Sequence, residues 1–333
     1  MIQHDNMRTD ATRPLWDLSR RHSVAAWRAF NSLLDVVFYD VGALSPQERV
    51  ALSTHLRPEG GVLVVYPRAA AQPIRALTPA AFADEQLQTT SDRVDTVVVA
   101  GVGSSAIGTA ALARNVADYL GRPVAGIVSG YGLADVVAEA FSGWFVFGAR
   151  NVLREVVARL LDAYELKDHV RDPESHSDMK AHLTSVAPEQ DHFLYGSPDS
   201  TTLLYLLLKL GGNLRLLVGH SKGNYGIENA LEGLASSWQP ARGRLDLDIV
   251  TLGAVVWFPP EFANLHQFIG RIDYFGMLNS RMFVQRITVP GAWHSLNSAL
   301  PGYLSVESAL RAVNALSRAS HGVSLTDDAR RSV

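Results

Sequence analysis

The pentapeptide Gly219-His220-Ser221-Lys222-Gly223 sets one hydroxyl between two residues that lack side chains. Leu214 to Val218 in front of it form a short apolar run, as a buried strand would, and Asn224 to Leu231 behind it read as the start of a helix. A strand that turns directly into a helix puts the corner residue in a strained backbone conformation. Bulky side chains two positions to either side would strike the neighbouring strand and helix. The same corner aims the hydroxyl into the mouth of a sheet. It also sets the next backbone N–H, that of Lys222, at a helix N-terminus, where it can meet a developing oxyanion. A serine hydroxyl is a weak nucleophile until a base takes its proton, so this motif calls for a histidine and for a carboxylate to orient it.

The surrounding elements must supply those two groups. GVLVVYP (61–67), DTVVVAGVG (95–103) and VAGIVSGYG (124–132) read as strands. Ala106 to Leu120 is free of proline and helical in spacing, with Gly121 at its C-terminal side. After the serine turn come DIVTLGAVVWFPP, QFIGRID and FVQRITVP as strands, then a last helix from Leu304 to about Ser320. Strands alternating with helices over 61–320 predict an α/β fold, a mostly parallel sheet with helices on both faces. In such sheets chemistry collects at the carboxyl ends of the strands.

That rule sorts the candidates. In the order that goes with this turn, acid and base both follow the serine. Asp273 closes the apolar run Gln267–Ile272 at a carboxyl end, whereas Asp246 and Asp248 stand at the start of DIVTLG, the wrong end. His294 follows the strand Phe283–Val289 through a short loop containing Pro290 and Gly291. His266 precedes its strand, His321 lies beyond the last helix, and His220 sits inside the turn beside the serine it would have to face. Ser221, Asp273 and His294 are therefore the expected catalytic residues. The second oxyanion donor is expected in the loop after VVVAG, at Val102 with Gly103 close behind it.

VVVAGVGSS, LLVGHSKGN, VTLGAVVWFPP, FIGRID and TVPGAWHSLN, in that order, make residues 60–320 resemble the α/β-hydrolase superfamily, its lipase and esterase branch in particular. The resemblance implies a serine hydrolase that cleaves a carboxylic ester, small or lipid-like, through an acyl-enzyme and without a cofactor. An acyltransferase or thioesterase using the same three residues is the enzymic alternative, and a non-catalytic hydrolase-like binding protein the other. The usual His-Gly of the oxyanion loop is Ala100-Gly101 here, which keeps the backbone and loses a side chain. The connection between VTLGAVVWFPP and QFIGRID is too short for a cap. A cap-like insertion is expected instead at about 140–200, where Trp144, Phe145, Phe147, Phe193 and Tyr195 would line an apolar pocket.

Residues 1–57 read as a helical arm on a hydrolase domain spanning 58–333. Trp27, Phe30, Leu34, Val37 and Val41 recur at helical spacing, and Ser45-Pro46-Gln47-Glu48 reads as a cap followed by a first turn. Docking on the core is the expectation for the arm, with a membrane surface or a partner as the alternative. The formal net charge of −3 and the scattered basic residues argue against a nucleic-acid partner. There is no cysteine, which excludes disulfides and thiolate metal sites. MIQHDNMRTD lacks a basic stretch followed by an apolar one, and TLLYLLLKL (202–210) is too short to span a bilayer. A soluble, cytoplasmic protein is expected. GVGSSAIG is not read as a dinucleotide fingerprint, because the strand 124–128 ends in Ser129 where a ribose would need an acid. Asp178, His182 and His176 have spacing compatible with a metal, but the polar stretch around them reads as a solvated loop.

Overall fold

The computed structural model describes residues 34–53, 59–89, 93–101, 104–129, 197–237 and 245–316. Among the described residues eight strands form one mixed, mostly parallel sheet: β1 (Val62–Val65), β2 (Arg75–Leu77), β3 (Thr96–Val99), β4 (Val124–Ile127), β5 (Leu216–His220), β6 (Asp248–Leu252), β7 (Leu265–Gly270) and β8 (Ile287–Val289). Their spatial order is β2-β1-β4-β3-β5-β6-β7-β8. β1 runs antiparallel to both β2 and β4, and every pair from β4 to β8 is parallel. The chain moves from β3 to β4 on one side and then returns to place β5 on the other. The order thus reverses at β3, and the crevice beyond β3 and β5 is where ligands of open α/β sheets sit.

The strands are apolar on both faces because both faces are covered. Leu63, Val65, Val98, Val218 and Val250 pack with helix α3 (Ala106–Leu120), with Tyr39, Leu44 and Leu52, and with a final helix at 306–316. Val62, Val64, Val97, Val99, Leu217 and Ile249 pack with α2 (Pro79–Gln88), α4 (Pro198–Leu210) and α5 (Lys222–Ser237). Alternate residues of one strand serve opposite layers, each buried Val or Leu contributing about 1.5–3 kcal/mol.

Several elements depart from the sequence reading. The hairpin strand β2 and helix α2 were not foreseen. Thr78 caps α2 by accepting from Ala81 N at 3.2 Å, with Pro79 at the first helical position. The run expected as one strand over 283–290 forms only β8, because Phe283 adopts φ +67° and is almost wholly exposed. DIVTLGAVVWFPP is a strand only to Leu252, after which Gly253 turns the chain at φ +72°. His266 is the second residue of β7 rather than preceding it, yet remains at the amino end.

In the arm, the helix at 34–38 stops before Val41. Leu34, Val37 and Val41 are only half-buried, and the residues driven inside are Asp35 and Tyr39. Asp35 takes that place because its carboxylate accepts from Ser105 N and Ser105 Oγ at the start of α3. Helix α1 (Pro46–Ser53) opens on a reciprocal cap, Glu48 N to Ser45 Oγ at 3.2 Å and Ser45 N to Glu48 Oε2 at 2.8 Å. Glu48 also pairs with the buried Arg114 of α3, so residues 34–53 dock on the core. Trp27, Phe30 and residues 140–196 of the expected insertion, with its aromatic residues, lie outside the described residues, as do Asp178, His182, His176 and His321, while 198–200 open α4.

Candidate active site

Ser221 stands at the corner between β5 and α5 with φ +53°, a left-handed conformation rare for a residue with a Cβ. The flanking glycines explain how the corner closes. A Cβ at Gly219 would stand 2.3 Å from Asn224 Oδ1, and one at Gly223 would stand 2.2 Å from the carbonyl oxygen of Val99. The corner is held from below: Ser221 N donates to Leu252 O at 2.9 Å. Asn224 Nδ2 donates to Leu252 O at 3.0 Å and to Ala254 O at 2.8 Å.

Asp273 follows β7 and caps the short helix α6 (Tyr274–Leu278), accepting from Gly276 N at 2.6 Å through Oδ1. His294 follows β8 after a turn at Gly291, φ +68°. The two loops are pressed together: Ile272 N donates to Ala292 O at 3.1 Å, and a Cβ at Gly270 would meet that oxygen at 2.2 Å.

The sequence-selected residues meet in one line. His294 Nε2 lies 2.9 Å from Ser221 Oγ, and His294 Nδ1 lies 3.0 and 2.9 Å from the two carboxylate oxygens of Asp273. All three are buried. A carboxylate accepts only, so Nδ1 carries the proton and Nε2 turns its lone pair toward the serine hydroxyl. A base so placed can take the serine proton as Oγ forms a bond to a carbonyl carbon.

Of the expected oxyanion donors only Lys222 lies among the described residues. Lys222 is the first residue of α5. Val102 and Gly103 lie outside the described residues. Gly101 N donates to the Tyr39 hydroxyl at 2.6 Å, so that amide is already used. A Cβ at Gly101 would come within 2.9 Å of Ser221 Cβ, which places the loop after β3 directly against the serine.

A brace behind His294 was not expected from the sequence. Leu296 N donates to Phe38 O at 2.8 Å, Ser295 Oγ to Val37 O at 2.7 Å, and Asn297 Nδ2 to Val36 O at 2.6 Å. The Phe38 ring meets the His294 ring edge-on, centroids 5.5 Å apart. The arm thus backs the loop that carries His294. Two polar residues one helical turn apart, Asp35 and Tyr39 in an otherwise apolar stretch, were the signal.

His220 turns away from Ser221. Its Nδ1 lies 3.0 Å from the Tyr39 hydroxyl and its Nε2 2.9 Å from the carbonyl oxygen of His294. Burial first, and then the charge His294 acquires on protonation, hold His220 well below the ordinary imidazole value, so the ring stays neutral. Of the rejected residues, Asp246 pairs with Arg215 at 3.6 Å, and Asp248 opens β6. Burial raises Asp248 and lowers His266.

An apolar rim adjoins the site. Tyr274, Phe275 and Leu278 of α6 are exposed, and the Phe275 ring centroid is 6.3 Å from that of His294. Among the described residues no group of three or more His, Asp or Glu is placed to hold a metal ion, and no helix is long and apolar enough to cross a membrane. No family model, curated protein or solved structure matches the chain.

Proposed function

We propose that the chain is a serine hydrolase of the α/β-hydrolase kind that cleaves carboxylic esters with an apolar acyl part. The observation that carries this reading is the hydrogen-bonded line Asp273–His294–Ser221, with the serine held at φ +53° beyond β5. The order Ser, Asp, His along the chain and the positions after β5, β7 and β8 support the fold assignment within the mostly parallel sheet.

Each residue then has a role. Ser221 Oγ attacks the ester carbonyl carbon while its proton passes to His294 Nε2, and the C=O electron pair becomes an oxyanion facing Lys222 N–H. His294 gives that proton to the leaving alcohol oxygen as the C–O bond breaks, leaving an acyl-Ser221. Water repeats the sequence in reverse roles and releases the acid. Asp273 fixes the tautomer of His294 and stabilises the imidazolium. The exposed Phe275 beside His294, with exposed Tyr274 next to it in α6, suits an apolar acyl chain better than a charged substrate.

Hydrolysis of p-nitrophenyl butyrate by the full chain tests the reading, with Ser221→Ala as the control. Turnover in the parent and its loss by about 10³-fold or more in the variant is the expected result. Equal turnover in both would show ester cleavage without Ser221 and overturn the reading, and none in the parent on acyl chains from acetate to decanoate would leave a non-catalytic hydrolase-like binding protein instead.

A further inference from the structure

Gly101, Tyr39, His220 and His294 are joined by three hydrogen bonds whose direction is fixed at both ends. The carbonyl oxygen of His294 accepts only, so His220 Nε2 at 2.9 Å is the donor. A neutral imidazole then has its lone pair on Nδ1, and the Tyr39 hydroxyl at 3.0 Å donates to it. The Gly101 N–H donates only, and Tyr39 Oη at 2.6 Å accepts it. The path therefore runs from the loop after β3, through the arm and the residue before the nucleophile, to the backbone of the base.

We propose that His220 is a positioning residue for catalysis, a neutral Nε2–H imidazole that holds the His294 main chain and, through Tyr39, ties it to the loop after β3. The inference rests on the serine-hydrolase reading. Space is made for it: Gly253, at φ +72°, lets both rings approach, and a Cβ there would stand 3.2 Å from His220 Nε2 and from His294 Nδ1. The two ring centroids are 5.0 Å apart, and the Tyr39 ring meets His220 edge-on at 5.3 Å. An apolar side chain would fill the same buried volume without the cost of desolvating an imidazole. The polar choice is explained by what its nitrogens hold. His294 comes from a loop 73 residues beyond Ser221, and such a base must be kept in place to a fraction of an ångström, since a 1 Å error can cost about 10²-fold in rate.

The test separates positioning from folding and from the hydrolase reading itself. In ¹⁵N-histidine-labelled full chain, His220→Gln identifies the His220 resonances by their loss. The expected parent spectrum shows a protonated Nε2 and an unprotonated Nδ1 for His220, unchanged from pH 5 to 9. This readout stands even if no ester is turned over, an outcome that would sink the hydrolase reading alone. On p-nitrophenyl butyrate, His220→Leu is expected to lower kcat by about tenfold or more with KM within about twofold. His220→Gln, whose amide can again donate to the His294 carbonyl, should recover most of that loss. Tyr39→Phe should lower kcat in the same direction. A protonated Nδ1, titration of His220 within that range, or a His220→Leu enzyme with unchanged kcat would overturn the proposal. Should His220→Leu fail to fold, the spectrum and the Gln and Phe variants decide it.

Discussion

The α-carbon of Gly223 lies so close to the end of β3 that a Cβ there would stand 2.2 Å from the carbonyl oxygen of Val99 and 2.6 Å from that of Ala100. Backbone cannot yield as a flexible side chain can, so Gly223→Ala must push α5 off β3 and carry the Ser221 corner with it. We expect a loss of about 1–3 kcal/mol in urea unfolding and a larger proportional loss of esterase turnover. Gly212→Ala is the comparison, because a Cβ at Gly212 meets nothing within 4 Å. It should stay within about 0.5 kcal/mol of the parent.

Asp273 has two tasks that substitution can divide. Asp273→Asn keeps a side-chain oxygen for Gly276 N but offers an N–H to His294, which favours the wrong tautomer. Stability should hardly change while kcat falls by roughly 10³–10⁴-fold. Asp273→Ala should lose activity similarly and a further ~1 kcal/mol of stability with the cap. Thermal unfolding alongside ester kinetics checks both.

Asp35 gives the arm a pH dependence. Burial outweighs its hydrogen bonds from Ser105 and raises its carboxyl to about 7. An acid raised in the fold favours folding while protonated in both states, below about pH 4. That contribution is lost as pH rises through 7, on the order of 4 kcal/mol across the window. In Asp35→Asn the stability profile by urea unfolding should be flatter between pH 4 and 7 than in the parent. A parallel profile would show that Asp35 titrates normally.

Phe275 is exposed beside the base, and its proposed partner is the acyl chain. Phe275→Ala should raise KM for p-nitrophenyl octanoate several-fold while leaving the acetate ester within about twofold, since removing an aromatic contact costs on the order of 1–2 kcal/mol. Equal effects on both esters would place the chain elsewhere.

The parts legible in the sequence were those whose chemistry is local. Gly219 and Gly223 mark a corner by spacing alone, and Asp273 and His294 sit where apolar runs end, which places them at strand ends even though the last run forms a strand only over Ile287–Val289. The brace left only a faint mark in the sequence. Asp35 and Tyr39 look like polar interruptions of an amphipathic helix, and their burial depends on Ser105 and His220, 70 and 181 residues away. The antiparallel β1 was hidden for a similar reason, because VLVV is equally apolar whichever way its neighbours run.

Ser221 is proposed as a nucleophile activated by His294. The most direct measurement is the mass of the full chain after exposure to a fluorophosphonate, followed by peptide mapping of the adduct. One phosphonyl group per chain is expected, on Ser221, formed rapidly in the parent and at least about 10³-fold more slowly in His294→Ala. An unlabelled chain, an adduct on another residue, or equal labelling rates with and without His294 would contradict it.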